Sequence, residues 1–189
     1  MKYSGRILAA AGLLLLLLAR VSAQRQHDPL NDLEISQLRD TAQDPDTRLR
    51  LYVKFAQSRL DAVDQVRTDA KVTDKAQATH DRMQEFVVVY DELNDNIEAF
   101  DSQRQDIRRV LKTIIEADTG FQAKLRALRD SSANSSELKQ YEFVLSDAID
   151  DLDSGAKDHV QLLSAQEDAA KHKKLLKPQP INRANLPPQ

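Results

Sequence analysis

Four imidazoles, His27, His80, His159 and His172, are the groups that base chemistry or nitrogen ligation of a metal would have to recruit, together with carboxylates. Their spacing supplies no site. A di-iron bundle places Glu-x-x-His on two helices, whereas Gln77 stands three residues before His80 and Ala156 three before His159. Met83 and His159 are of types that ligate a b-type haem between helices, but Met83 falls on an apolar seam where core packing already accounts for it. Covalent haem attachment and thiolate metal sites need cysteine, and the chain has none. The run Asp150-Asp151-Leu152-Asp153-Ser154-Gly155 looks like a calcium loop until its ligand positions are read. Leu152 takes the third and Gln161 the twelfth, where a carboxylate is required. Helical spacing through Leu152 and Ala156 makes that run a solvated acidic face instead. Without Gly-x-Ser-x-Gly, a phosphate loop or His-Glu-x-x-His, no catalytic residue, cofactor or metal ligand can be named. A non-enzymatic protein is expected.

The elements around these residues read as helices. Proline is absent between Pro45 and Pro178, and beyond residue 23 the only glycines are Gly120 and Gly155, so few turns fit. A short helix over about Leu30–Ala42 is expected from Asp28 as N-cap and Pro29 at N1, offering Leu30, Leu33 and Leu38 to a partner. Asp44-Pro45 repeats the device. The next helix, about Asp46–Asp69, carries Leu49, Val53, Ala56, Leu60 and Val63 as its stripe, widened by Tyr52 and Val66. Asp74 with Gln77 forms a capping pattern. From there Ala76, Thr79, Met83, Phe86, Tyr90, Leu93, Ile97 and Phe100 keep a strict three-four rhythm, the seam of a coiled coil or narrow bundle. The rhythm runs on through Arg104, Ile107, Leu111, Ile114, Asp118, Phe121, Leu125 and Leu128. Its two polar steps mark Asp101–Arg104 and Asp118–Gly120 as the places where one helix of about 55 residues would bend or break. After a Ser-rich turn, Asn134 and Glu137 cap a last helix to about Ala170 with Leu138, Tyr141, Leu145, Ala148, Leu152, Ala156 and Leu163 inward. The fold class is therefore all-α, with antiparallel hairpins forming a coiled-coil-like or narrow bundle.

Same-sign pairs four apart, such as Arg50 with Lys54 and Asp91 with Asp95, are unfavourable within one helix and invite opposite charge from a neighbour. A fold back near Val72 would bring Asp91, Glu92 and Asp95 to Arg48, Arg50 and Lys54. A second near Ala133 would bring Asp153 and Asp158 to Arg108, Arg109 and Lys112.

Both ends of the chain differ from this body. Lys2 and Arg6, the apolar stretch Ile7–Ala19 and the small residues of Val21-Ser22-Ala23 read as a signal peptide over residues 1–23, cleaved after Ala23, with an exported (periplasmic or extracellular) product. Arg20 beside the apolar run leaves retention as an anchor open, and the lack of a cysteine after that run excludes a lipid-modified N-terminus. The helical domain spans residues 24–170 with 19 basic and 30 acidic residues, a net −11 that speaks against a nucleic-acid surface. Residues 171–189 form a basic, Pro-rich flexible tail. Its Lys171, Lys173, Lys174, Lys177 and Arg183, unaccompanied by a carboxylate, suit peripheral contact with an anionic membrane surface; alternatively the first lysines complement the negative end of the last helix, with Glu167 paired to Lys171. The functional expectation is an exported helical binding or scaffold protein of the cell envelope whose partner is a protein or envelope component. The alternative is a bundle that encloses a small apolar or haem-like ligand.

Overall fold

The computed structural model describes residues 29–175, and among them the chain is all-helical. The helices are α1 (Asp32–Asp40), α2 (Pro45–Thr68), α3 (Lys75–Ser102), α4 (Arg108–Ser132) and α5 (Leu138–Leu175).

Local chemistry sets their ends. The short helix begins later than Asp28-Pro29 suggests, because Asn31 and Glu34 complete a reciprocal capping box: the Asn31 side chain accepts from the Leu33 and Glu34 N–H groups, and Glu34 accepts from the Asn31 N–H at 2.9 Å. Asp28 lies outside the described residues. Asp44 caps α2 with Pro45 following it, and Asp74 caps α3 by accepting from the Gln77 N–H. Gln77 does not reciprocate; its amide donates to Asp81.

The long seam breaks at its first polar step and not at Gly120. Arg104 has φ 59°. Its N–H donates to the Asp101 carbonyl and the Gln105 N–H to the Phe100 carbonyl, the paired bonds that close a helix through a left-handed residue. Glycine usually fills that position, and an arginine there sends no signal in the sequence. Gly120 instead lies exposed within α4.

The α2/α3 and α4/α5 hairpins pack side by side, α2 against α4 and α3 against α5. Those two new neighbours run parallel. On one side Arg50 meets Thr113 and Asp61 meets Lys124, both 63 residues apart; on the other Asn94 meets His159 and Asp101 meets Gln166, both 65 apart. The core is the three-four seam itself: each of its positions from Ala76 to Leu128 is buried except Arg104. At its centre Phe86 stacks on Tyr90 at 5.8 Å and meets Phe121 edge-on at 5.6 Å, joining α3 to α4 across the diagonal. Burial of each such ring contributes about 2 to 3 kcal/mol. The short α1 is held less by Leu33, which is exposed, than by Glu34, whose carboxylate takes a bidentate pair from buried Arg59 at 2.9 and 2.6 Å. Burial pushes the Glu34 carboxyl upward, but the Arg59 and Asn31 donors and the Arg59 charge outweigh it and leave it lowered.

The first hairpin has the expected register without the expected ion pairs between Arg48, Arg50 or Lys54 and Asp91, Glu92 or Asp95, and the second has neither. Arg48 meets Asn96 at 2.7 Å and Tyr52 meets Glu92 at 3.5 Å, as a fold back near Val72 requires. Arg50, however, turns to Asp46 and Thr113, and Asp91 and Asp95 turn to α5. In the second hairpin Asp153 meets Gln122 and Arg126, and Lys112 meets Glu167. The register is shifted by roughly ten residues, about three helical turns.

Candidate functional site

The α3/α5 seam leaves an open groove of about 440 Å³. From α3 it receives Asp91, Asn94, Asp95, Glu98 and Asp101, and from α5 Asp151, Ser154, Gly155, Asp158 and His159. These residues stand on the flanks of the two apolar stripes, which explains why they share one face. Six carboxylates line the groove and no lysine or arginine does. The groove also approaches the C-terminal end of α3, whose last turn contains no basic residue, so the helix dipole adds negative potential. The carboxyl of Asp91 is pushed up by burial and then by the charges of Asp151, Asp95 and Glu92. That of Asp151 is raised by burial and then by Asp147 and Asp150. In each the smaller contribution, from neighbouring carboxylates, is one that a positive charge would offset.

Beneath the groove lies a buried polar chain. The Tyr90 hydroxyl donates to Asp118 Oδ1 at 3.0 Å, Asp118 Oδ2 lies 2.8 Å from His159 Nδ1, and His159 Nε2 lies 3.1 Å from Asn94 Oδ1. Tyr90 and Asp118 are 1% exposed and His159 3%. Burial, followed by the neighbouring charge of Asp118, pushes the Tyr90 hydroxyl far above its ordinary range, so it stays a donor. Gly155 makes the approach possible. A Cβ there would lie 2.7 Å from Tyr90 Oη, and real side chains do not tolerate that distance.

The residues singled out in the sequence divide as follows. Asp118, the polar interruption of the seam, joins α3 to α5. Met83 is fully buried in the core, while both ring nitrogens of His159 are engaged by Asp118 and Asn94, so a haem ligated there would have to displace those bonds. His80 lies at the surface beside Asp81, and among the described residues no group of three or more His, Cys, Asp or Glu is placed to hold a metal ion. The calcium-like run at Asp150 is an interior stretch of α5 with Leu152 fully buried. Of the proposed tether, Lys171, Lys173 and Lys174 are exposed on α5, which continues beyond the expected end at Ala170 to Leu175. Lys171 pairs with Asp168 at 2.9 Å, not with Glu167. Lys177, Arg183 and residues 1–23, the expected signal peptide, lie outside the described residues.

His159, weighed in the sequence as a ligand, and Gly155, weighed as part of a calcium-like run, are not read there as buried seam positions, yet a signal exists. From Tyr141 a strict four-three step through Leu145, Ala148 and Leu152 lands on Gly155 and His159, the buried positions, where the looser reading through Ala156 passes them by. Comparison with protein-family models, with curated proteins and with solved structures finds no match to this chain.

Proposed function

We propose that this is a non-enzymatic binding module of the cell envelope, exported by its N-terminal segment, which docks a cationic partner in the α3/α5 groove. The carrying observation is electrostatic: two parallel helices bring six carboxylates to one groove without a basic residue among its lining. A partner rich in lysine or arginine, such as a basic protein segment, gains from that field and relieves the strain on Asp91 and Asp151. The exposed lysines at the end of α5, with Lys177 and Arg183 beyond it, serve as a second contact to an anionic surface.

Calorimetry with a decalysine peptide tests the groove. Binding is expected at low ionic strength and should weaken steeply as salt shortens the screening length to about 10 Å at 0.1 M. Asp91→Asn with Asp151→Asn should weaken it about tenfold. Absence of binding, or binding indifferent to those substitutions, overturns the groove assignment. Mass spectrometry of the protein recovered from the envelope tests export, with a start at Gln24 expected and an intact Met1 contradicting it.

A further inference from the structure

With the Asn94 amide oxygen turned toward the ring, the hydrogen-bond chain beneath the groove sets how many protons it holds. Tyr90 spends its hydroxyl proton on Asp118 Oδ1. The 2.8 Å contact between Asp118 Oδ2 and His159 Nδ1 needs one proton, on whichever side it rests. At the far edge of the ring, Nε2 faces the Asn94 oxygen at 3.1 Å. An amide oxygen only accepts, so Nε2 must carry a proton as well. The Asp118–His159 pair in this arrangement therefore holds two protons and is formally neutral, as aspartate with imidazolium or as aspartic acid with imidazole. Removing one leaves Nε2 as an acceptor facing an acceptor. Asn94 is the neighbour able to repair that contact, because turning its amide over exchanges oxygen for N–H.

Asn94 also lines the groove, so the half of its amide that the ring does not hold is the half shown there. We propose that His159 and Asn94 form a proton-operated switch, in which loss of the Nε2 proton turns the Asn94 amide over and changes the groove wall from a donor to an acceptor. The titratable groups around the ring are Tyr90 from α3 and Asp118 from α4, with Asp91 and Asp95 of α3 and Asp151 and Asp158 of α5 lining the groove beside it; no lysine or arginine lines that groove. A cation entering the groove opposes that proton and prefers the amide oxygen. Binding and deprotonation are thereby coupled in one direction, tighter as pH rises. This coupling rests on the groove reading; the switch itself does not.

The test is nitrogen-15 NMR of the protein from about pH 5 to about pH 9, the range in which imidazoles act as switches. The expected result is loss of the Nε2 proton from His159 accompanied, with the same midpoint, by movement of the Asn94 side-chain amide signals. Asn94→Asp should hold the doubly protonated ring to higher pH by about one unit, since a carboxylate replaces the amide oxygen. A ring that keeps a single protonation state across the range overturns the proposal, as does an Asn94 amide whose midpoint differs from that of the ring. In a second arm, decalysine should bind more tightly as the ring deprotonates, with a midpoint that matches that of the ring and moves with it in Asn94→Asp. Ring and amide moving together while decalysine fails to bind would sink the groove reading and leave the switch standing.

Discussion

The two parallel seams, α2/α4 and α3/α5, are built alike and finished differently. Each aligns residues 60 to 65 apart in the chain. Along α2/α4 the polar contacts are balanced: Lys124 bridges Asp61 and Asp64, Arg50 reaches Thr113, and Arg67 donates to Ser132. The Lys124 contacts, opposed by burial, carry the Asp61 carboxyl below its ordinary range. Along α3/α5 carboxylates face carboxylates, the Asp91 and Asp151 groups are raised, and a Tyr-Asp-His-Asn chain is buried underneath. The balanced seam demonstrates that this architecture closes without charge conflict. The conflict on the other side is therefore not demanded by helix packing, which is the physical reason for placing function there.

The largest separation between the seams should come from the buried chain. Asp118→Ala strands the Tyr90 hydroxyl and the His159 ring without their shared acceptor and is expected to cost about 3 to 5 kcal/mol in urea denaturation. A loss below 1 kcal/mol would mean that the chain contributes little. Next in size is Gly155→Ala, expected to cost about 1 to 3 kcal/mol through overpacking against Tyr90. Adding Tyr90→Phe removes the closest clashing atom, so the double variant should show positive coupling. The same change at Gly120, where no atom lies within 4 Å of the new Cβ, should instead stabilise by up to about 1 kcal/mol from helix propensity.

On the balanced side, Lys124→Ala should cost no more than about 1 kcal/mol, since its ion pairs are partly exposed and screened. A larger loss would show that the two seams depend on polar contacts equally. The smallest effect is a difference in acid response. Asp61, lowered when folded, adds stability that is present above the unfolded value of about 3.9 and lost as pH falls through its folded value. Asp91 and Asp151, raised when folded, bind protons more tightly in the native state, so their contribution falls as pH rises from about 3.9 through their folded values. Melting temperatures between about pH 3 and pH 7 should accordingly rise at the neutral end for Asp91→Asn with Asp151→Asn and fall there for Asp61→Asn.

Much of this molecule is local and so readable from its sequence. The three-four rhythm from Ala76 to Leu128 names its buried positions because an apolar stripe on a 3.6-residue helix has one face to hide. Asp44-Pro45 and Asp74 mark helix starts because capping joins groups only a few residues apart. The first register is the one a fold back near Val72 gives, but the second, across a link of similar length, is not, so a short link brings two helices alongside each other without setting their register. Tertiary structure decided what the stripe's flanks would meet, since hydrophobic burial is non-directional and specifies which face turns inward without specifying its neighbour. Asp91 and Asp95 were thus free to face α5 instead of Arg50 and Lys54. The same holds for the buried chain: His159 finds Asp118 and Asn94 at separations of 41 and 65 residues. Only the parallel docking of the two hairpins, with Gly155 leaving room for Tyr90, brings those groups within hydrogen-bond reach.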